Sequence, residues 1–274
     1  MIDAIAPRLA RPHRVTAPLA GARLVLAHNL LVHRHRWTIL AFGVLEPLLY
    51  LLSIGVGVGR LVGHLSGLGA AGGPPVSYPQ YVAPALLAMA AMNGASASTT
   101  QQVFARLRFG NTYQVMLGAP VDPADIALGE VAWATLRGGI EATGFLAVMA
   151  AFGLVRSPWA LLAVPGALLI GFAFASAGLL TTTYLRSWAD FQLIQLVMLP
   201  MFLFATTFYP LRVYPRPIQV IVSALPLYHS INLVRGPVLG ETGPRLLIPA
   251  VYLVVMGGLT LALAVRRLTR ILLD

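Results

Sequence analysis

Long apolar runs alternate with short polar joints along this chain, and six of the runs come close to or exceed the ~20 residues a helix needs to cross a bilayer. They cover 37–59, 79–104, 125–153, 159–184, 191–209 and 246–265. Only Arg186 to Asp190 separate the fourth run from the fifth, so those two are expected to form a tight helical hairpin. Between the fifth and sixth runs the pattern breaks. Pro210, Pro215, Pro217, Pro226, Pro237 and Pro244 cut that segment into pieces too short to span, yet 218–225 and 228–239 stay largely apolar. Pieces of that length predict re-entrant or interfacial helices, which survive at membrane depth only when packed on protein. The expected fold is therefore all-α: a polytopic membrane protein of six transmembrane helices, with short re-entrant or interfacial helices after the fifth span. Residues 1–36 form a basic cytoplasmic arm with room for an interfacial helix, 37–265 the membrane domain, and 266–274 a cytoplasmic tail.

Polar residues inside the runs are the candidate chemistry. The third run carries Glu130, Arg137 and Glu141, and steps of seven and four residues place all three within about 40° of one helix face. Arg137 and Glu141 stand one turn apart and can pair. An unpaired charge in lipid is costly, so this stripe must face protein or water. It reads either as a lock between helices or as the wall of a polar route, with Glu130 near the cytoplasmic headgroups. Glu46 lies just before Pro47, a residue that removes a helix hydrogen bond and favours a kink. The second run ends in a small and polar stretch, Asn93 to Gln102, and Gln192 and Gln195 share one face of the fifth run. Asn93, Gln192 and Gln195 are the candidate path-lining residues. No catalytic constellation and no metal-ligand spacing occurs, since the histidines are scattered without a carboxylate motif.

Composition narrows the function. Hydrophobic residues make up 58% and charged residues 10% of the chain, against roughly 25% charged in soluble domains. Arginine supplies all of the basic side chains, and there is no lysine. A phosphate-cradling Walker loop needs its lysine, so if ATP powers this protein another chain must bind it. The absence of cysteine removes disulfides and thiolate chemistry. The net charge of +10 is spread over many loops and matches anionic lipid headgroups rather than nucleic acid. Twelve arginines fall on one side of the six-span arrangement and six, Arg235 among them, in the loops of the other, which orients both termini toward the cytoplasm. The first 36 residues hold six arginines and no unbroken apolar run, unlike a cleavable signal peptide.

Four stretches carry a resemblance. They are Glu46-Pro47-Leu48-Leu49-Tyr50-Leu51, Leu128 to Ala134, Gly171 to Ser176, and Leu225-Pro226-Leu227-Tyr228-His229-Ser230-Ile231-Asn232-Leu233-Val234-Arg235. Over about residues 37 to 265 the chain resembles the membrane subunit of ATP-binding cassette exporters of the ABC type-2 permease family. Within it, the chain is similar to nodulation-factor (lipo-oligosaccharide) export permeases and to daunorubicin-type drug-resistance permeases. The resemblance implies a bacterial inner-membrane permease working as two copies with two cytoplasmic ATPase subunits, which hold the ATP and Mg; this chain needs no cofactor of its own. It also implies an amphipathic helix before the first span, although Leu19 to Arg36 show a mixed face. The loop after the second span would dock the ATPase through Tyr113, Val115, Met116 and Leu117. An amphiphilic substrate follows from the same resemblance. Two other classes stay open: an ion-coupled secondary transporter using Glu46, Glu130 and Glu141, and a membrane-bound transferase, for which a polar catalytic cluster is missing.

Overall fold

The computed structural model describes residues 19–34, 37–62, 64–65, 75–110 and 112–273. Helix α1 (Ala20–His33) precedes α2 (Trp37–Tyr50), which widens into a π-helical turn at Leu51–Val56 and resumes as α3 (Gly57–Val62). Pro47, which has no N–H to donate, sits inside α2 just ahead of that turn. Two short strands, His64–Leu65 and Val76–Ser77, pair antiparallel before α4 (Tyr78–Ala97). A capping box starts α4: the Gln80 N–H donates to Ser77 Oγ at 3.4 Å, and the Ser77 N–H donates to Gln80 Oε1 at 3.1 Å. The helix then passes through a second π-turn, Ser98–Gln102, into α5 (Val103–Arg108), and the short α6 (Thr112–Met116) follows. The second π-turn falls within the small and polar stretch read from the sequence, and the first begins four residues after Pro47.

Helix α7 (Pro123–Ala151) has 29 residues, roughly 43 Å at 1.5 Å per residue. A 3-10 turn at Pro158–Leu162 leads into α8 (Ala163–Thr182). The short link to α9 (Phe191–Phe204) is tied by Asp190, whose carboxylate accepts the N–H groups of Arg186 at 2.7 Å and Ser187 at 3.0 Å. Those two donors hold Asp190 below the usual carboxylate range. After α9 come α10 (Arg216–Ala224) and α11 (Pro226–Leu239), bent by 82° at Leu225, and then α12 (Leu247–Leu273). The bend bears out the two short pieces expected there. Helix α12 runs without a break to Leu273.

Helix α8 lies among α4, α7 and α12 and packs on all three. Small residues allow the close approaches. A methyl group on Gly138 of α7 would strike the carbonyl of Ala91 on α4. Among the described residues, three stretches are long and apolar enough to span by themselves: Phe42–Arg60, Pro158–Thr182 and Pro244–Leu273. Helices α4 and α7 have the length, but α4 ends in its polar run and α7 carries charges, while Trp188–Phe204 is shorter. The chain is an all-α polytopic membrane protein.

Candidate functional site

The main polar site lies at one end of α7. Glu130 is 2% exposed, so its charge must be completed by protein groups. Its carboxylate gathers donors from three other elements. Arg106 of α5 donates from Nη1 to Oε1 at 2.5 Å, Tyr113 of α6 donates its hydroxyl to Oε1 at 3.1 Å, and Asn29 of α1 donates from Nδ2 to Oε2 at 3.2 Å. Arg106 Nη1 also donates to Asn29 Oδ1 at 2.7 Å. Each partner satisfies another, which is what a buried charge requires.

Helix α1 reaches this node by lying along the first half of α7. Its small and polar positions face inward: Gly21 against Asp125, Val25 against Gly129, Asn29 against Glu130, and the His33 ring 4.9 Å from that of Trp133. The spacing of four residues puts them on one face. Leu24 and Leu31 point outward, 58% and 62% exposed. The mixed face seen in the sequence is thus a small-residue seam against α7 backed by a leucine face.

The same node corrects the expectation for Tyr113. Its ring is 1% exposed, so it anchors the loop and offers no side chain to a partner. Burial lifts its phenol well above 10, keeping it a hydrogen donor to Glu130. Val115 is 75% exposed, Gln114 is also exposed, and Met116 and Leu117 are half-buried against the core. The loop therefore presents a small tip while its base is pinned inside.

Farther along α7, Arg137 donates from Nε to Glu141 Oε1 at 2.9 Å, the i,i+4 pair the sequence predicted. Arg137 Nη1 also donates to Ser98 Oγ in the second π-turn at 3.3 Å. The Glu141 carboxylate fits a slot between α2 and α4, where a methyl group on Gly43 or Gly94 would overlap it. The stripe thus divides: Glu130 belongs to the node, and the other two close on each other.

The remaining candidates do not converge. Glu46 is exposed on α2 and has no ion pair among the described residues. Asn93 is half-buried on α4, and Gln192 and Gln195 are exposed on α9. No hydrogen bond joins these three among the described residues. Sequence reading counted Arg235 with the loop charges, but it is buried in α11. Its guanidinium stacks 3.9 Å from the Tyr81 ring centroid and donates to the Thr206 carbonyl at 2.8 Å. Thr206 adopts φ 64°, a strained conformation for a β-branched residue. The Tyr81 hydroxyl donates to the same carbonyl at 3.3 Å and helps to hold that turn.

A loop pinned through buried polar groups and a bent helix pair after α9 are the architecture, and α9 stands off α8 across an open cleft instead of closing the tight hairpin expected from the short link; comparison with known proteins decides the family. The family model described as ABC-2 type transporter matches residues 22–239. The chain belongs to the ABC-2 type transporter family. Relatives include nodulation protein J of Rhizobium leguminosarum bv. viciae, 33% identical over 230 residues, covering 82% of this chain and 86% of that protein. Nodulation protein J of Rhizobium leguminosarum bv. trifolii is 34% identical over 230 residues, 82% of this chain and 85% of its own length. That of Rhizobium meliloti (strain 1021) is 34% identical over 197 residues, 72% of each chain. The ABC-2 match takes in all but the first two residues of α1, the loop, the node and the bent pair.

Proposed function

We propose that this chain is the membrane subunit of an ATP-driven exporter that moves an amphiphile out of the cytoplasm or the inner leaflet of a bacterial plasma membrane. A separate cassette ATPase, in two copies, holds the ATP and Mg. Two copies of this chain form the membrane part, each crossing six times through α2–α3, α4–α5, α7, α8, α9 and α12, with both termini cytoplasmic. The observation that carries this is the Glu130 node: it fixes the base of the α5–α6 loop to α7 and α1 and leaves Val115 outward. A loop so built can take a push at its tip and deliver it to the membrane helices, because buried, mutually satisfied polar contacts resist local give. Family membership and the nodulation protein J relatives support export of an amphiphile. Glu46, exposed at membrane height, would then face water or the second copy, since lipid would not tolerate it.

Val115→Asp is the direct test. It should abolish co-purification with the cassette ATPase while leaving the folded yield of the permease unchanged. Retained co-purification and stimulated ATP turnover would place the docking elsewhere. Topology is checked with single cysteines at Thr242 and Arg270, clean in a chain without native cysteine: an impermeant reagent should label the first in intact cells and spare the second. Export driven by a proton gradient without nucleotide would instead assign Glu46 to ion coupling.

A further inference from the structure

Helix α5 has two working faces. Arg106 turns one toward the Glu130 node, while Phe104 and Arg108, one turn apart, turn the other toward the α8–α9 link. Arg108 Nη2 donates to the Leu185 carbonyl at 2.9 Å. Phe104 is fully buried and meets three rings edge-on, with centroids 5.0 Å away for Trp188, 5.2 Å for Phe191 and 6.0 Å for Phe109. Those three also stack: Trp188 lies 5.2 Å from Phe191 and 6.2 Å from Phe109, the latter tilted by only 4°. Aromatic residues at a membrane surface commonly anchor singly among the headgroups. Here the α5–α6 loop, the α8–α9 link and the start of α9 each place a ring around Phe104, which makes the cluster a joint.

Helix α9 has little else to hold its first half. From Gln192 to Pro200 every side chain is exposed or half-buried, and the open cleft separates this stretch from α8. Packing resumes at Met201 and Phe202, which are buried in the core. Beyond them the Thr206 turn is fixed by Arg235 and Tyr81. Pro200 stands at the change. It has no N–H to donate, and sharp helix bends concentrate at such residues. A helix clamped beyond Pro200, loose before it and gripped at Phe191 is built as a lever.

We propose that the joint of Phe104, Phe109, Trp188 and Phe191 is a second coupling contact, through which the docking loop swings the first half of α9 about Pro200 and changes the width of the cleft. Trp188 lies between Phe109 and Phe191 in the stack and is the positioning residue that carries the link. The inference rests on the export reading for what pushes the loop, but the link itself needs neither ATP nor a partner.

The test places bimane on Val197→Cys, a lone thiol in a chain without native cysteine, in the full permease in nanodiscs. With the cassette ATPase bound, ATP and vanadate should shift its emission. Trp188→Ala should cut that shift about threefold with folded yield and co-purification unchanged, and Trp188→Phe, which keeps a ring, should restore most of it. In the permease alone, Phe109→Ala should already move the resting emission, and should move it no further once Trp188→Ala is present. A full nucleotide shift in Trp188→Ala overturns the inference, as does an assembled complex whose probe never shifts. A loss that Trp188→Phe leaves unrestored also overturns it, marking Trp188 as a local prop. If no ATPase co-purifies, the export reading fails while the resting response to Phe109→Ala still decides the joint: an unmoved emission there overturns it whatever the partner does.

Discussion

Two carboxylates on α7, Glu130 and Glu141, stand about 16 Å apart along one helix, share a face and are equally buried, yet they are held in opposite ways. Glu130 is completed by side chains from α1, α5 and α6. Glu141 is completed by its own helix one turn back, and its neighbours α2 and α4 contribute chiefly absence of bulk at Gly43 and Gly94. One is a joint between elements; the other is a local neutralisation that lets three helices close up. The same chemistry on one helix therefore does two jobs, decided by how far along the chain the partners come from.

The largest effect should follow from breaking the joint. Glu130→Ala leaves Arg106, Asn29 and Tyr113 without their common acceptor and should cost about 3–5 kcal/mol, read as a loss of monodisperse folded protein and a lower Tm. Next comes Arg137→Met, which strands Glu141 in its slot and should cost about 3 kcal/mol. Adding Glu141→Gln should recover part of that loss. Normal folding in all these variants with export gone would turn the pair into a path-lining element and erase the contrast. Gly94→Ala pushes a methyl group into the Glu141 carboxylate, and overpacking of this kind costs about 1–3 kcal/mol; a neutral result would mean the slot is loose. The smallest shift in stability belongs to Val115→Ser at the loop tip, within about 0.5 kcal/mol, with ATPase binding reduced nonetheless.

What the sequence made legible follows the range of the interactions. The Arg137–Glu141 pair and the two short helices after α9 depend on spacing and prolines within one segment, and both are visible in the residues alone. Glu130 depends on partners 24 and 101 residues away, and no local pattern reports them. A signal for Asn29 existed: it continues the spacing of four set by Gly21 and Val25, a polar residue in a small-residue seam, and such a seam needs something to receive it. Tyr113 turns inward where a docking role would need it outward, since an aromatic residue in a five-residue helix has no periodicity to orient it. Likewise Arg235 looked like loop charge because only the folded chain brings Tyr81 and Thr206 to it. The gap between six apolar runs and three self-sufficient spans has the same origin. Helices α4 and α7 are buried by one another and can carry polar residues that a lipid-exposed helix cannot.

The central claim is that the Glu130 node transmits force from the docking loop to the membrane helices. It is tested most directly by the ratio of substrate exported to ATP hydrolysed in the reconstituted complex carrying Glu130→Gln. This change keeps the shape of the side chain and removes its charge. The account predicts a folded permease that still binds the ATPase and still permits ATP turnover, with export per ATP lowered about tenfold. A ratio equal to that of the unmodified protein would show that the node holds the fold together and carries no coupling.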